Sequence, residues 1–164
     1  MQRPLAIVCL MAVCLAGTAQ AQSYPSFVAA LNQPTFSRLN AVVSTLGLTQ
    51  TFSNPALKVT VFVPTNTGFS AAEKATGISF ATLQSQKSLL QQIVYYHIVK
   101  QVVKAPLPAG PLPTFVTGKD LKGAGNKVIG IGSSANIVQP NVPCGQGIAH
   151  AIDNVLLFLS LGGR

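Results

Sequence analysis

Apolar positions recur along this chain in two different rhythms, one in each half. From Thr35 to Leu48, Phe36, Leu39, Val42, Val43 and Leu46 stand three and four apart, which predicts an amphipathic helix with Gly47 as its stop. A shorter apolar stretch, Ser26 to Leu31, precedes it and ends at Asn32-Gln33-Pro34. Val59 to Val63 is a β-branched and aromatic run halted by Pro64, which predicts a strand. Thr65 or Asn66 then caps a helix carrying Phe69, Ala72 and Ala75, closed by Gly77. Another short helix begins within Ile78 to Leu83. Ser88 to Ile98 gives the strongest helical signal, with Leu90, Ile93, Val94 and His97 on one stripe and Leu89 and Tyr96 widening it.

Beyond residue 100 the helical rhythm stops. Pro106, Pro108, Pro111 and Pro113 exclude a regular central element from Lys100 to Gly118, leaving Phe115-Val116-Thr117 as a short edge strand. Gly118, Gly123 and Gly125 mark turns, and Lys127 to Ile131, Ala135 to Val138 and Gly147 to Leu157 predict strands. In the last, Ile148, His150, Ile152, Asn154 and Leu156 share one face, and Ala149, Ala151, Asp153, Val155 and Leu157 the other. Two apolar faces predict a central strand, in which His150 and Asp153 need hydrogen-bond partners. Helices early and strands late predict an α+β domain with a mostly antiparallel sheet.

The N-terminus changes the compartment expected for this domain. Arg3, the apolar run Leu5 to Leu15 and Ala19-Gln20-Ala21 follow the pattern of a cleavable secretory leader. Residues 1–21 are therefore expected to be a signal peptide and 22–164 a single exported domain. No later run is long and apolar enough to predict a transmembrane segment in the mature chain. Cys9 and Cys14 leave with the leader, so Cys144 remains as a lone thiol without an internal partner.

Charge narrows the chemistry. Lys and Arg number 11 against three acids, Glu73, Asp120 and Asp153, for a net charge of +8. The cations are dispersed and lack a recognised nucleic-acid motif, so no specific nucleic-acid partner is expected. Three acids leave little material for paired-carboxylate catalysis, and no serine stands in a Gly-x-Ser-x-Gly elbow. His97 and His150 with Cys144 and Asp153 form a poor set for zinc. No catalytic residue, no metal and no obligatory cofactor are expected. For Thr65, His150 and Asp153 the expected roles are structural: a helix cap and polar anchors in the sheet.

Three segments carry a resemblance. Thr-Val-Phe-Val-Pro-Thr-Asn-Thr-Gly-Phe, within Val59 to Phe69, resembles the first homology box of the fasciclin domain family. Tyr96-His97 at a helix end resembles its central Tyr-His motif, and Gly147 to Leu157 its second box. They occur in the family's order, and the similarity covers residues 24 to 158. It implies a wedge-like β-sandwich packed with helices. It further implies extracellular adhesion or contact with matrix or cell wall, the partner being an extracellular protein or polysaccharide. Tyr96 and His97 map to a region often proposed as a receptor contact, although the periodicity turns His97 inward.

Some green-algal members of the family carry carotenoids. The alternative the resemblance implies is thus a water-soluble carrier of a carotenoid or other lipophilic small molecule. Material for the walls of such a site is present in Phe52, Phe62, Val63, Ile98, Val102, Val103, Ile148 and Ile152. The same residues would also build an ordinary core.

Overall fold

The computed structural model describes residues 22–158, and the leader expected over residues 1–21 lies outside them. Helix α1 (Phe27–Leu31) starts at Ser26, whose hydroxyl oxygen accepts from the Ala29 N–H. Pro34–Phe36 forms a 3-10 turn that leads into α2 (Ser37–Thr45), with Leu39, Val42 and Val43 buried. The helix expected to Leu48 stops earlier, before Gly47 at φ 68°, and Thr49–Ser53 makes a separate α3 that buries Phe52. A glycine in left-handed geometry ends the first helix and turns the chain, so one expected helix becomes two.

Strand β1 (Thr60–Pro64) is buried throughout. Thr65 Oγ1 accepts from the Gly68 N–H and caps α4 (Asn66–Thr76), which Gly77 closes. α5 (Phe80–Ser85) and α6 (Lys87–Tyr96) follow. Helix α6 ends two residues before the expected Ile98, because Ile98–Val99 pairs with β1 as strand β2.

The second half departs further from expectation. The edge strand is β3 (Leu107–Leu112), and Phe115 to Thr117 lies in bends and turns. β3 carries Pro108 and Pro111 because it is last in the sheet order, where a missing N–H faces no neighbour. The glycine-marked stretch forms β4 (Leu121–Gly125), followed by β5 (Lys127–Ile129). Gly123 fits there because a side chain would collide with the Pro108 carbonyl. β6 (Ser134–Cys144) runs well past Val138, absorbing Pro140 through two breaks in register between Ile137 and Val142, while Pro143 stays paired opposite Ile148.

β7 (Gly147–Ile152) ends five residues before the expected Leu157, and the chain bends at Asp153-Asn154. The face assignment made for residues 153–157 therefore does not hold. Val155, Leu156 and Leu157 are nevertheless buried, in an irregular return segment.

The seven strands lie in the order β2-β1-β7-β6-β5-β4-β3. β1 and β7 run parallel; the remaining neighbours are antiparallel. A bridge between Val99 and Thr114 ties the β2 edge to the chain just beyond β3, so the sheet curls nearly closed. All six residues of β7 are buried, as a strand with neighbours on both sides and apolar faces requires.

The register pairs Val61 with Ala149 and Phe62 with His150. The space beside Gly147 is filled by the Phe27 ring, which seats α1 on the small-residue face of β7. Phe27 and Phe52 meet edge to face at 6.1 Å above it. Burying one such aromatic contributes about 1.5–3 kcal/mol. On the opposite face Phe62 stacks on the His150 ring at 5.6 Å.

Candidate functional site

The Tyr-His pair lies at the C-terminal end of α6, inside the molecule. The Tyr96 side chain is fully buried and His97 is 5% exposed. His97 Nδ1 lies 2.7 Å from the Ile93 carbonyl, one helical turn back, and Nε2 accepts from the Leu156 N–H at 2.9 Å. A carbonyl can only accept and an N–H can only donate, so the ring is neutral with its proton on Nδ1. Burial pushes its pKa down to about 4, against the smaller upward pull of the Ile93 carbonyl. Tyr96 Oη accepts from the Ile131 N–H at 3.0 Å, and its proton points to the Asp120 carbonyl at 3.4 Å. A Cβ at Gly130 would stand 3.2 Å from the Tyr96 hydroxyl and ring, so the missing side chain there makes room for the phenol. Tyr96 and His97 together join α6 to the β5–β6 turn and to the return segment.

His150 is anchored in the same way on the central strand. Its Nε2 lies 2.8 Å from the Val103 carbonyl, and Nδ1 accepts from the Asn141 N–H at 3.0 Å. This ring too is neutral, with the proton on Nε2, and burial lowers its pKa. Two neighbours that the sequence reading missed complete the arrangement. Thr60 Oγ1 donates to the Gln101 carbonyl and accepts from the Val103 N–H, both at 2.7 Å. Asn141 clamps both main-chain groups of Ala105, accepting from N at 2.7 Å and donating to O at 3.0 Å. A threonine in a β-branched strand gives no sequence signal. Asn141 follows a proline and takes φ 54°, a conformation asparagine tolerates, so a turn there was readable.

Asp153 grips Asn136: Oδ1 accepts from its N–H at 2.7 Å and Oδ2 from its side-chain amide at 2.9 Å. Thr65 acts as the α4 cap already described. The structure thus places Thr65, Tyr96, His97, His150 and Asp153 at separate joints and does not gather them around one cavity. Among the described residues no three of His, Cys, Asp and Glu converge on a point that could hold a metal. Cys144 is buried and its thiol is pushed up to about 12 by desolvation.

The apolar residues divide into groups. Phe52, Phe62 and Val63 border a void between helices and sheet, together with Phe27, Val42 and Val94, but its volume is about 30 Å³. That is the scale of one water molecule. Ile148 and Ile152 are buried in β7, Val103 is buried beneath Thr60, and Val102 is 44% exposed. Phe52 reappears with Ile98 in an outward-opening cleft of about 110 Å³, bordered also by Leu48, Leu57, Tyr95 and Phe115. Elsewhere the surface exposes Ile129, Ile131 and Val138. No helix among the described residues is long and apolar enough to cross a membrane.

This arrangement has counterparts. A FAS1 domain pair from the insect cell adhesion molecule Fasciclin I matches with a TM-score of 0.69 at 19% identity, over 82% of this chain and 51% of that one. The chain therefore spans about half the length of that solved structure, and the likeness is one of fold. No curated protein matches it. The profile of the Fasciclin domain matches residues 34–158, which takes in β1, the Tyr-His pair and β7. The chain belongs to the fasciclin domain family.

Proposed function

We propose that this protein is a secreted, non-enzymatic binding module that acts by surface contact in extracellular adhesion, on matrix, cell wall or another extracellular protein. One observation carries the reading. Both histidines of the chain are buried, neutral and fully hydrogen-bonded to main chain, so neither is free to act as a base or a ligand. What remains to act is the exterior, which is basic and exposes Ile131 and Val138. The family supports adhesion, and the secretory pattern of residues 1–21 supports export.

The test is a bead assay. Beads coated with residues 22–164 should adhere to extracellular matrix or cell-wall material, and Ile131→Asp or Val138→Asp should weaken adhesion without lowering the melting temperature. Adhesion no greater than that of albumin-coated beads would reject the reading.

Carriage of an apolar ligand is the second reading, and one placement favours it. Phe52 and Ile98, two of the wall residues expected from sequence, share the outward-opening cleft with Phe115. The water-sized core void directs this reading to the surface cleft.

A further inference from the structure

The cleft has a floor, a flap and a charge. Leu48, Phe52, Val59 and Ile98 are buried and form the floor, and Leu57 and Tyr95 stand at its sides. The Tyr95 hydroxyl is engaged by the Gln91 side-chain amide at 3.3 Å. Phe115 completes the lining although it is 48% exposed. Its position comes from two anchors. Val99 bridges Thr114, and the Lys100 N–H donates to the Pro113 carbonyl at 2.9 Å. Thr114 Oγ1 then organises the turn, donating to the Lys119 carbonyl at 2.6 Å and accepting from the Val116 N–H at 3.1 Å. Phe115 is thus the exposed end of a turn fixed at its base.

Lys100 supplies the charge. Its ammonium lies 5.6 Å from the centre of the Phe115 ring. Among the described residues the one ion pair is Arg38–Glu73, so no carboxylate lies within 4 Å of the Lys100 ammonium. A second acid, Asp153, is held by Asn136. An apolar slot with an uncompensated cation at its aromatic flap is complementary to a molecule with an apolar tail and an anionic head. A neutral polyene would use the slot and leave the cation idle.

We propose that this cleft binds the apolar end of a long-chain carboxylate or similar anionic amphiphile. The tail lies over Phe52 and Ile98 beneath Phe115, and the head group faces Lys100. The inference rests on the second reading above and names the ligand class for it.

The experiment is a fluorescence titration of residues 22–164 with cis-parinaric acid and, separately, with its uncharged methyl ester. Saturable one-to-one binding of the acid is expected, with the ester weaker. Phe115→Ala should weaken acid binding about tenfold through lost apolar contact. Lys100→Gln should weaken the acid by up to about fivefold and leave the ester unchanged. Ile129→Ala, an exposed apolar site elsewhere, should change neither. Equal affinity for acid and ester, with loss only in Phe115→Ala, would overturn the anionic class and leave the carrier reading standing. Absence of saturable binding by either probe, or binding indifferent to Phe115→Ala, would overturn site and carrier reading together.

Discussion

The buried polar residues of this domain and its exposed apolar cleft invert the usual expectation of where chemistry sits. Inside, Thr60, Tyr96, His97 and His150 carry the functional groups that catalysis or metal binding would use, and each is committed to main-chain partners. Outside, Phe115 and Lys100 carry nothing catalytic, yet they are free to meet another molecule. A buried donor or acceptor is paired because leaving it unpaired is costly. The inward-facing Tyr-His motif is therefore explained by stability, and the proposed binding falls to side chains that the fold does not need.

Removing the imidazole should break this contrast most sharply. His97→Ala leaves the Leu156 N–H without its acceptor and opens a cavity, so urea unfolding should show a loss of about 3–5 kcal/mol. A His97→Ala protein with an unchanged unfolding midpoint that nevertheless lost adhesion would show that the residue contacts a partner.

Acid should act on the same bond. The folded pKa of His97, about 4, lies below its ordinary value of 6.5, so the unfolded chain binds more protons between these pH values. Stability is fully present above pH 6.5 and falls as pH drops from there to about 4, by about 3 kcal/mol in total. His150 is lowered too and adds in the same direction. Denaturant midpoints measured from pH 7 to pH 4.5 check the slope, which should flatten in a destabilised but folded His97→Gln variant.

Thr60→Val keeps the shape and removes both hydrogen bonds, stranding the Val103 N–H. About 2 kcal/mol should be lost, read as a lower melting temperature with an unchanged circular dichroism spectrum. At the other extreme, Arg38→Ala removes the Arg38–Glu73 pair, whose side chains are 35% and 30% exposed. The Glu73 pKa is lowered first by the Phe80 N–H and then by Arg38, so the carboxylate keeps its main partner. The cost should be the smallest of the set, a melting temperature barely lowered, and should shrink further in high salt.

The same division governs what could be read from the sequence. β1, the Thr65 cap, α4 and the buried central β7 were legible because strand composition, capping chemistry and two-faced apolarity are local signals. The inward turn of His97 followed from the stripe on α6. What was missed depends on distant parts of the chain. β3 and β4 are held by each other and not by their own propensity, so prolines and glycines concealed them. β6 crosses Pro140 by changing register, which no period-two pattern announces. Thr60 and Asn141 matter only because residues 101–105 fold back over them. The cleft joins α3, the junction of α6 and β2, and the Phe115 turn, three places far apart in sequence.

The central claim, that the Tyr-His motif is interior framework, is tested most directly by proton NMR of the His97 ring between pH 8 and pH 5.5. The imidazole should remain neutral throughout, its C–H resonances unmoved while the protein stays folded. A ring that titrates with a midpoint near 6.5 in the folded protein would place His97 in water and return the motif to the surface.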